Sequence, residues 1–203
     1  MIKKEMILDV LREGKKKDTK WISCVIGDIA HIGQYRDNGH PYFTHPKHCA
    51  NMFYDLVSIE GWTNNRVLKE HDIPCGVAEL AYLHDVVEDT ELTHQDVKDI
   101  FIELGYKDFF ESFVDEPLKL ITHDKSESYD IYIDKVMQHP TSALVKMLDL
   151  ADNMNLFGLA SLGDEELERV KRYASYFKKI NNRYHYLEKF KECFSDMVDA
   201  YDD

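Results

Sequence analysis

The chain is 203 residues long and 44% hydrophobic, enough for a sizeable buried core. Lys plus Arg number 25 against 38 Asp plus Glu, a formal net charge of -13. That acidity argues against a broad nucleic-acid or anionic-membrane surface, because both need positive potential, while a phosphorylated small molecule fits if bound metal and local cations overcome the global field.

In chain order the pattern reads as helix after helix. No sustained period-two alternation between hairpin turns is present, so the fold class is all-α. A first helix is expected over Ile2 to Glu13. The run Gly14-Lys15-Lys16-Lys17-Asp18 breaks it, as a solvated linker or, alternatively, a phosphate patch. A second helix turns Trp21, Ile22, Val25, Ile29 and Ile32 inward at helical spacing. Asp37-Asn38-Gly39-His40-Pro41 reads as a loop. Thr44 is the expected N-cap of the next helix, with Pro46 tolerated in its first turn. Gly61 to Asn65 is another loop. Pro74 opens a helix to about Val87, and Thr93 with Asp96 marks the start of one through Leu104. Further helices are expected over Lys107 to Leu120, Ser128 to Gln138 and Thr141 to Leu156. Gly163-Asp164 precedes a long carboxy-terminal helix through about Glu192. No stretch has the composition of a linker between domains, so residues 1–203 read as a single-domain, multi-helix bundle.

The cysteines Cys24, Cys49, Cys75 and Cys193 show no C-x-x-C pairing and read as reduced, which places the chain in the cytoplasm. The amino terminus lacks a signal-peptide stretch, and no apolar run is long enough to span a membrane.

The chemistry concentrates in Leu80-Ala81-Tyr82-Leu83-His84-Asp85-Val86-Val87-Glu88-Asp89-Thr90. Val77, Leu80 and Ala81 define a buried stripe that continues to His84. Asp85 follows Ala81 by four residues and turns the same way. Glu88 and Asp89 lie one turn further along these two faces. A divalent cation suits an inward imidazole and carboxylate side by side. The alternative is a hydrogen-bonded core histidine beside capping carboxylates, which the extra acidic pair weakens, since such a cluster without a cation repels itself. Two other segments can complete a coordination sphere. His45 stands at a helix start beside Pro46. Asp149 borders the apolar stripe Leu144, Met147, Leu148, Ala151 and Met154, where it faces metal or pairs with Lys146.

The order His, His-Asp, Asp resembles the HD phosphohydrolase superfamily. Ala30-His31-Ile32-Gly33-Gln34-Tyr35-Arg36, Gly39-His40-Pro41-Tyr42-Phe43-Thr44-His45-Pro46 and Leu83 to Thr90 are more narrowly similar to the hydrolase domain of RelA/SpoT-type enzymes and to small stand-alone alarmone hydrolases. The resemblance covers about residues 30–156, and a helical extension follows over about 163–192. It implies an HD-type helical bundle that removes the 3′-pyrophosphate of (p)ppGpp. It implies that His45, His84, Asp85 and Asp149 are metal ligands, usually for Mn²⁺. It further implies that Glu88 and Asp89 position or activate the attacking water, that Arg36 lies against the nucleobase and that Asn153 lies near the ribose. Asp37 stands where the resemblance places a lysine, and Ala151-Asp152-Asn153 replaces a Leu-His-Asn. These changes remove positive charge beside the substrate, leaving Lys47, His48, His123, Lys125 and Lys146 to face phosphate, with Lys146 and Lys125 the chosen binding residues. The length leaves no room for a separate synthetase domain. The expected partner is a small nucleotide, with no nucleic acid and no membrane. The alternatives are an HD phosphohydrolase acting on a nucleoside monophosphate or NADPH, and an inactive nucleotide-sensing module.

Overall fold

The computed structural model describes residues 2–14, 18–158 and 161–202, so the lysine run Lys15 to Lys17 lies outside the described residues. Among the described residues the chain is helical, with two isolated bridges and no strand. No helix among them is long and apolar enough to cross a membrane.

Helix α1 (Ile2–Glu13) packs on α2 (Thr19–Ala30), whose N-cap Asp18 accepts a 2.8 Å hydrogen bond from Trp21 N. Gly27 brings α2 close to its neighbours: a methyl group there would lie 2.5 Å from the Tyr82 carbonyl oxygen and 2.6 Å from the Phe43 ring. The helix stops at Ala30, so Ile32, expected inside, is 55% exposed. Helix α3 (Thr44–Val57) starts at Thr44 itself. Thr44 is therefore not the N-cap. Its hydroxyl donates to the Pro41 carbonyl at 2.7 Å, while Pro46 sits in the first turn as expected.

Helix α4 (Asn65–Glu70), for which no element is expected from the sequence, follows directly on the loop of Gly61 to Asn65, and Asn64 caps it. The helix expected from Pro74 to Val87 is two: α5 (Val77–Leu83), entered through Gly76 at φ 75°, and α6 (Val86–Asp89). His84 Nδ1 donates to the Ala81 carbonyl at 2.8 Å, a side-chain bond that competes with the helical ladder where α5 ends. Helix α7 (His94–Glu103) carries the Thr93/Asp96 capping box.

The stretch from Lys107 also divides, into α8 (Lys107–Phe113) and α9 (Asp115–Ile121). Pro117 has no N–H for the carbonyl of Phe113, so one helix cannot run through both. Helices α10 (Tyr129–Val136) and α11 (Pro140–Asn153) follow, each shorter at its end than expected. The long carboxy-terminal helix is interrupted at His185, left-handed at φ 56°, which separates α12 (Asp164–Tyr184) from α13 (Tyr186–Asp202). The break sends Tyr186 into the core, where its hydroxyl donates to the Pro140 carbonyl at 2.7 Å.

Every residue of α5 is buried, and α5 packs against α2, α3 and α11. Helix α11 in turn packs on α3, α9 and α12. This meeting of α3, α5 and α11 positions the site, because each carries one of its polar groups at or just beyond the contact.

Candidate metal centre and adjoining cleft

His45 lies in the first turn of α3, His84 and Asp85 follow α5, and Asp149 lies near the end of α11. Their ligand atoms converge. His45 Nε2 is 3.0 Å from Asp149 Oδ1 and 3.7 Å from Asp85 Oδ2. His84 Nε2 is 3.1 Å from Asp85 Oδ2 and 3.8 Å from Asp149 Oδ1. Such separations suit atoms placed about 2.0–2.2 Å from a shared centre.

The hydrogen bonds around these groups fix which atoms face inward. His84 spends its Nδ1 proton on the Ala81 carbonyl, so Nε2 points a lone pair at two carboxylates. That nitrogen is buried and, among the described residues, has no hydrogen-bond partner, although Asp85 is near. His45 Nδ1 is held 2.6 Å from Asp152 Oδ2, which likewise leaves Nε2 for the centre. A divalent cation satisfies all four groups at once. Burial lowers the imidazole pKa values, but Cys49 and the bonds to Asp149 and Asp152 outweigh it and raise His45, and Asp85 with Asp149 raises His84. Asp85 and Asp149 are correspondingly held below the usual carboxylate range: burial opposes this and the neighbouring cations win. Cys49 also groups with His45 and His84, with ligand atoms within 4.8 Å. Its sulfur lies 3.9 Å from His45 Nδ1, the nitrogen that serves Asp152, and burial pushes the thiol up to about 11.

Outside this group stands a ring of orienting contacts. Asp149 accepts from Lys146 Nζ at 2.7 Å through Oδ2 and from Asn153 Nδ2 at 2.6 Å through Oδ1. Asp149 thus makes the Lys146 pair, one of the two alternatives considered for it, while its Oδ1 faces the His45 and His84 rings. The Lys146 ammonium is buried over the Tyr132 and Tyr129 rings, at 4.9 and 5.5 Å from their centroids. Tyr42 OH lies 2.8 Å from Asp85 Oδ2 and 3.3 Å from Asp89 Oδ2. Burial and the nearby carboxylates push its pKa up, so it stays a donor.

Glu88 and Asp89 line a cavity of about 190 Å³, with Tyr132, His123 and three of the four converging groups, His45, Asp85 and Asp149. Glu88 Oε2 accepts from His123 N at 3.0 Å, and burial raises its pKa, assisted by the charges of Asp85 and Asp89. The Asp89 carbonyl accepts from Gln34 Nε2 at 2.7 Å, and its carboxylate lies 3.6 Å from Lys125 Nζ, a largely exposed side chain.

Arg36 is delivered by a tight turn, in which Arg36 N bonds the His40 carbonyl at 2.8 Å and Gly39 adopts φ 82°. Its Nη1 donates to Asp152 Oδ2 at 2.6 Å and its Nη2 to Asn153 Oδ1 at 3.2 Å. The Asn153 amide is therefore engaged at both ends. A second cleft, about 270 Å³, adjoins the first and shares Arg36, Tyr42, Asn153 and Tyr173 with it.

Sequence reasoning missed Asp152, which accepts from Arg36 and His45, with His48 Nδ1 at 3.3 Å. Burial alone would raise its pKa, but the bonds from His45 and Arg36 hold it down to about 2. A signal existed, a carboxylate three residues after Asp149 on a helix otherwise turned inward. Tyr42 and Gln34 were quoted as motif letters without a role.

No protein-family model matches the chain. Among curated proteins it is 30% identical over 172 residues to the bifunctional (p)ppGpp synthase/hydrolase SpoT of Escherichia coli strain K12, a match covering 83% of this chain and 22% of that protein. It is 27% identical over 154 residues to the guanosine-3′,5′-bis(diphosphate) 3′-pyrophosphohydrolase of Vibrio cholerae, covering 74% of this chain and 19% of that one. The chain thus spans about a fifth of the length of these relatives. A solved structure described as a metazoan ortholog of SpoT that hydrolyzes ppGpp and plays a role in starvation responses superposes with a TM-score of 0.58, at 20% identity, over 91% of this chain and 98% of that one. In sequence this chain is similar to part of the SpoT-type (p)ppGpp hydrolases, and it shares its all-helical fold with the metazoan SpoT ortholog.

Proposed function

We propose that the chain is a metal-dependent phosphohydrolase that removes the 3′-pyrophosphate of (p)ppGpp or a related alarmone. The observation that carries this reading is the buried His84 Nε2, without a hydrogen-bond partner among the described residues and facing the Asp85 and Asp149 carboxylates. The activities for which the relatives are named support the choice of substrate.

His45, His84, Asp85 and Asp149 would hold the ion. The mixed nitrogen and oxygen donors contain nothing soft, which suits Mn²⁺. When bound, such an ion draws charge from phosphoryl oxygens and makes water more acidic. The protein does the rest. Glu88 and Asp89 orient the attacking water and take its proton, a role that the raised pKa of Glu88 favours. The oxygen of water bonds to phosphorus, the bond from phosphorus to the 3′ oxygen breaks, and a proton from the water reaches that oxygen by way of the acidic pair. Arg36, its edges taken by Asp152 and Asn153, turns a guanidinium face toward the base. Asn153 stands beside the sugar, and Lys146 and Lys125 flank the phosphates. One apolar cluster links α1 to α13, in keeping with residues 1–203 acting as one HD-type domain. The free cysteines fit a reducing compartment, and we place the protein in the cytoplasm.

The test is a turnover screen of Mn²⁺-loaded protein against (p)ppGpp, its adenosine analogues, NADPH and nucleoside monophosphates. Pyrophosphate release from (p)ppGpp is expected. An untouched alarmone beside a cleaved monophosphate or NADPH would overturn the substrate and keep the metal site. A further expectation concerns Asp152. Removing a partner that aims a ligating histidine typically lowers metal affinity about 10–100-fold. Metal titration of Asp152→Ala should show a loss of that order, and unchanged affinity would reduce Asp152 to an anchor for Arg36.

A further inference from the structure

A single peptide unit joins Glu88 to a cation outside the cavity. Glu88 Oε2 accepts from His123 N at 3.0 Å. The carbonyl of that same peptide, which belongs to Thr122, accepts from Lys135 Nζ at 3.1 Å. The peptide is trans and planar, with its N–H and C=O on opposite sides, so the two bonds fix its plane from both ends. A cation on the carbonyl also polarises the unit and strengthens its N–H as a donor.

Lys135 lies on α10 and lines neither the metal cavity nor the adjoining cleft. Its ammonium is held in place. Glu127 Oε1 accepts from it at 2.6 Å, and the centroid of the Tyr132 ring is 5.5 Å away. Thr122 and Glu127 stand near opposite ends of the segment that joins α9 to α10, so one cation ties that segment across its width. The other contacts of the segment act the same way. Tyr132 OH donates to the Ile121 carbonyl at 2.6 Å, and the His123 ring packs on Tyr132 with centroids 4.4 Å apart. The consequence falls on Glu88. With Oε2 taken by the peptide, Oε1 is left to accept from the attacking water. Burial raises the Glu88 pKa, and Asp85 and Asp89 act with it. The His123 N–H is the strongest contact opposing them, and Lys146 adds to it.

We propose that Lys135 is a positioning residue for hydrolysis, which acts through the Thr122–His123 peptide to orient the Glu88 carboxylate toward the attacking water. The effect on turnover rests on the proposed hydrolase reading, but the effect on the peptide can be read without turnover. Lys135 touches no substrate, and no bond is made or broken at it.

The rate provides one readout. In Mn²⁺-loaded protein acting on ppGpp, Lys135→Met should lower kcat about 10-fold, the loss expected for one hydrogen bond to a charged group, while KM and Mn²⁺ affinity hold. Lys135→Arg keeps the cation and should recover most of the rate. In a Glu88→Gln background, Lys135→Met should take away nothing further, because the group through which it acts is gone. The second readout is the His123 amide proton by NMR, which needs no turnover. In Lys135→Met its resonance should move upfield and its exchange with solvent should quicken about 10-fold, and Lys135→Arg should restore both. If the wild type hydrolyses ppGpp and Lys135→Met keeps kcat, or lowers it equally with and without Glu88, the positioning role is wrong and the hydrolase reading stands. If ppGpp is inert but the His123 amide answers both to Lys135→Met and to Glu88→Gln, the hydrolase reading fails and the hold on Glu88 stands. An amide indifferent to Lys135 overturns the proposal outright. Should Lys135→Met lower the melting temperature, Lys135→Gln, which keeps a polar head without the charge, takes its place in both measurements.

Discussion

Asp149→Ala should abolish both stoichiometric metal binding and turnover. The carboxylate touches the site from two sides, with Oδ1 near both imidazoles and Oδ2 on Lys146. Its removal takes away one of two carboxylates that balance a double positive charge, and leaves the Lys146 ammonium buried without its anion. Two readouts should move. Metal analysis should fall from one ion per chain to a small fraction. The stabilisation that the wild type gains from added Mn²⁺, about 2.7 kcal/mol at a free concentration 100 times Kd, should vanish from melting curves. The pH dependence has a definite sign. Cys49 and the carboxylates around His45, and the carboxylates around His84, raise both imidazole pKa values, so protons compete for the ligand nitrogens below those raised values, and metal affinity should climb as pH rises through them. Full occupancy in Asp149→Ala would sink the ligand assignment.

Glu88→Gln and Asp89→Asn should keep the metal and lose the chemistry. Both side chains line the cavity, yet neither joins the four converging ligand groups. Glu88 keeps its acceptor bond from His123 N if the amide oxygen takes that place, so its substitution should leave the fold intact. Loss of a general base typically lowers kcat by roughly 10²–10⁴-fold. The pH profile adds a check. Because burial raises the Glu88 pKa, the acidic limb of kcat should lie above that of an ordinary carboxylate, with activity appearing as pH rises through it, and Glu88→Gln should remove that limb. Near wild-type rates in both variants, with metal retained, would make the pair an ordinary solvated helix end.

The inward turn of His84 was legible because helical spacing continues the stripe of Val77, Leu80 and Ala81 to it. The interruption of that helix was not legible. It comes from a bond between the His84 ring and the Ala81 carbonyl, which depends on a rotamer and not on residue type. The split at Val114 was open to inspection, since Pro117 forbids a continuous ladder, but the apolar pattern on both sides concealed it. Asp152 was overlooked for another reason. Its partners Arg36 and His45 lie more than a hundred residues away, and only the packing of α3 on α11 brings them together.

The two adjoining cavities divide labour along the chain. The first is lined from α3, the α5–α6 junction, His123, α10 and α11. The second draws its remaining groups from the turn around Tyr35 and Asp37, from Asp152 and the segment after α11, and from the outer helix α12. Only Arg36, Tyr42, Asn153 and Tyr173 belong to both. Asp152 nevertheless ties the two together, because the carboxylate that lines the second cavity also holds His45 Nδ1 beside the first. A substitution on that wall is therefore felt at the imidazole, two elements away.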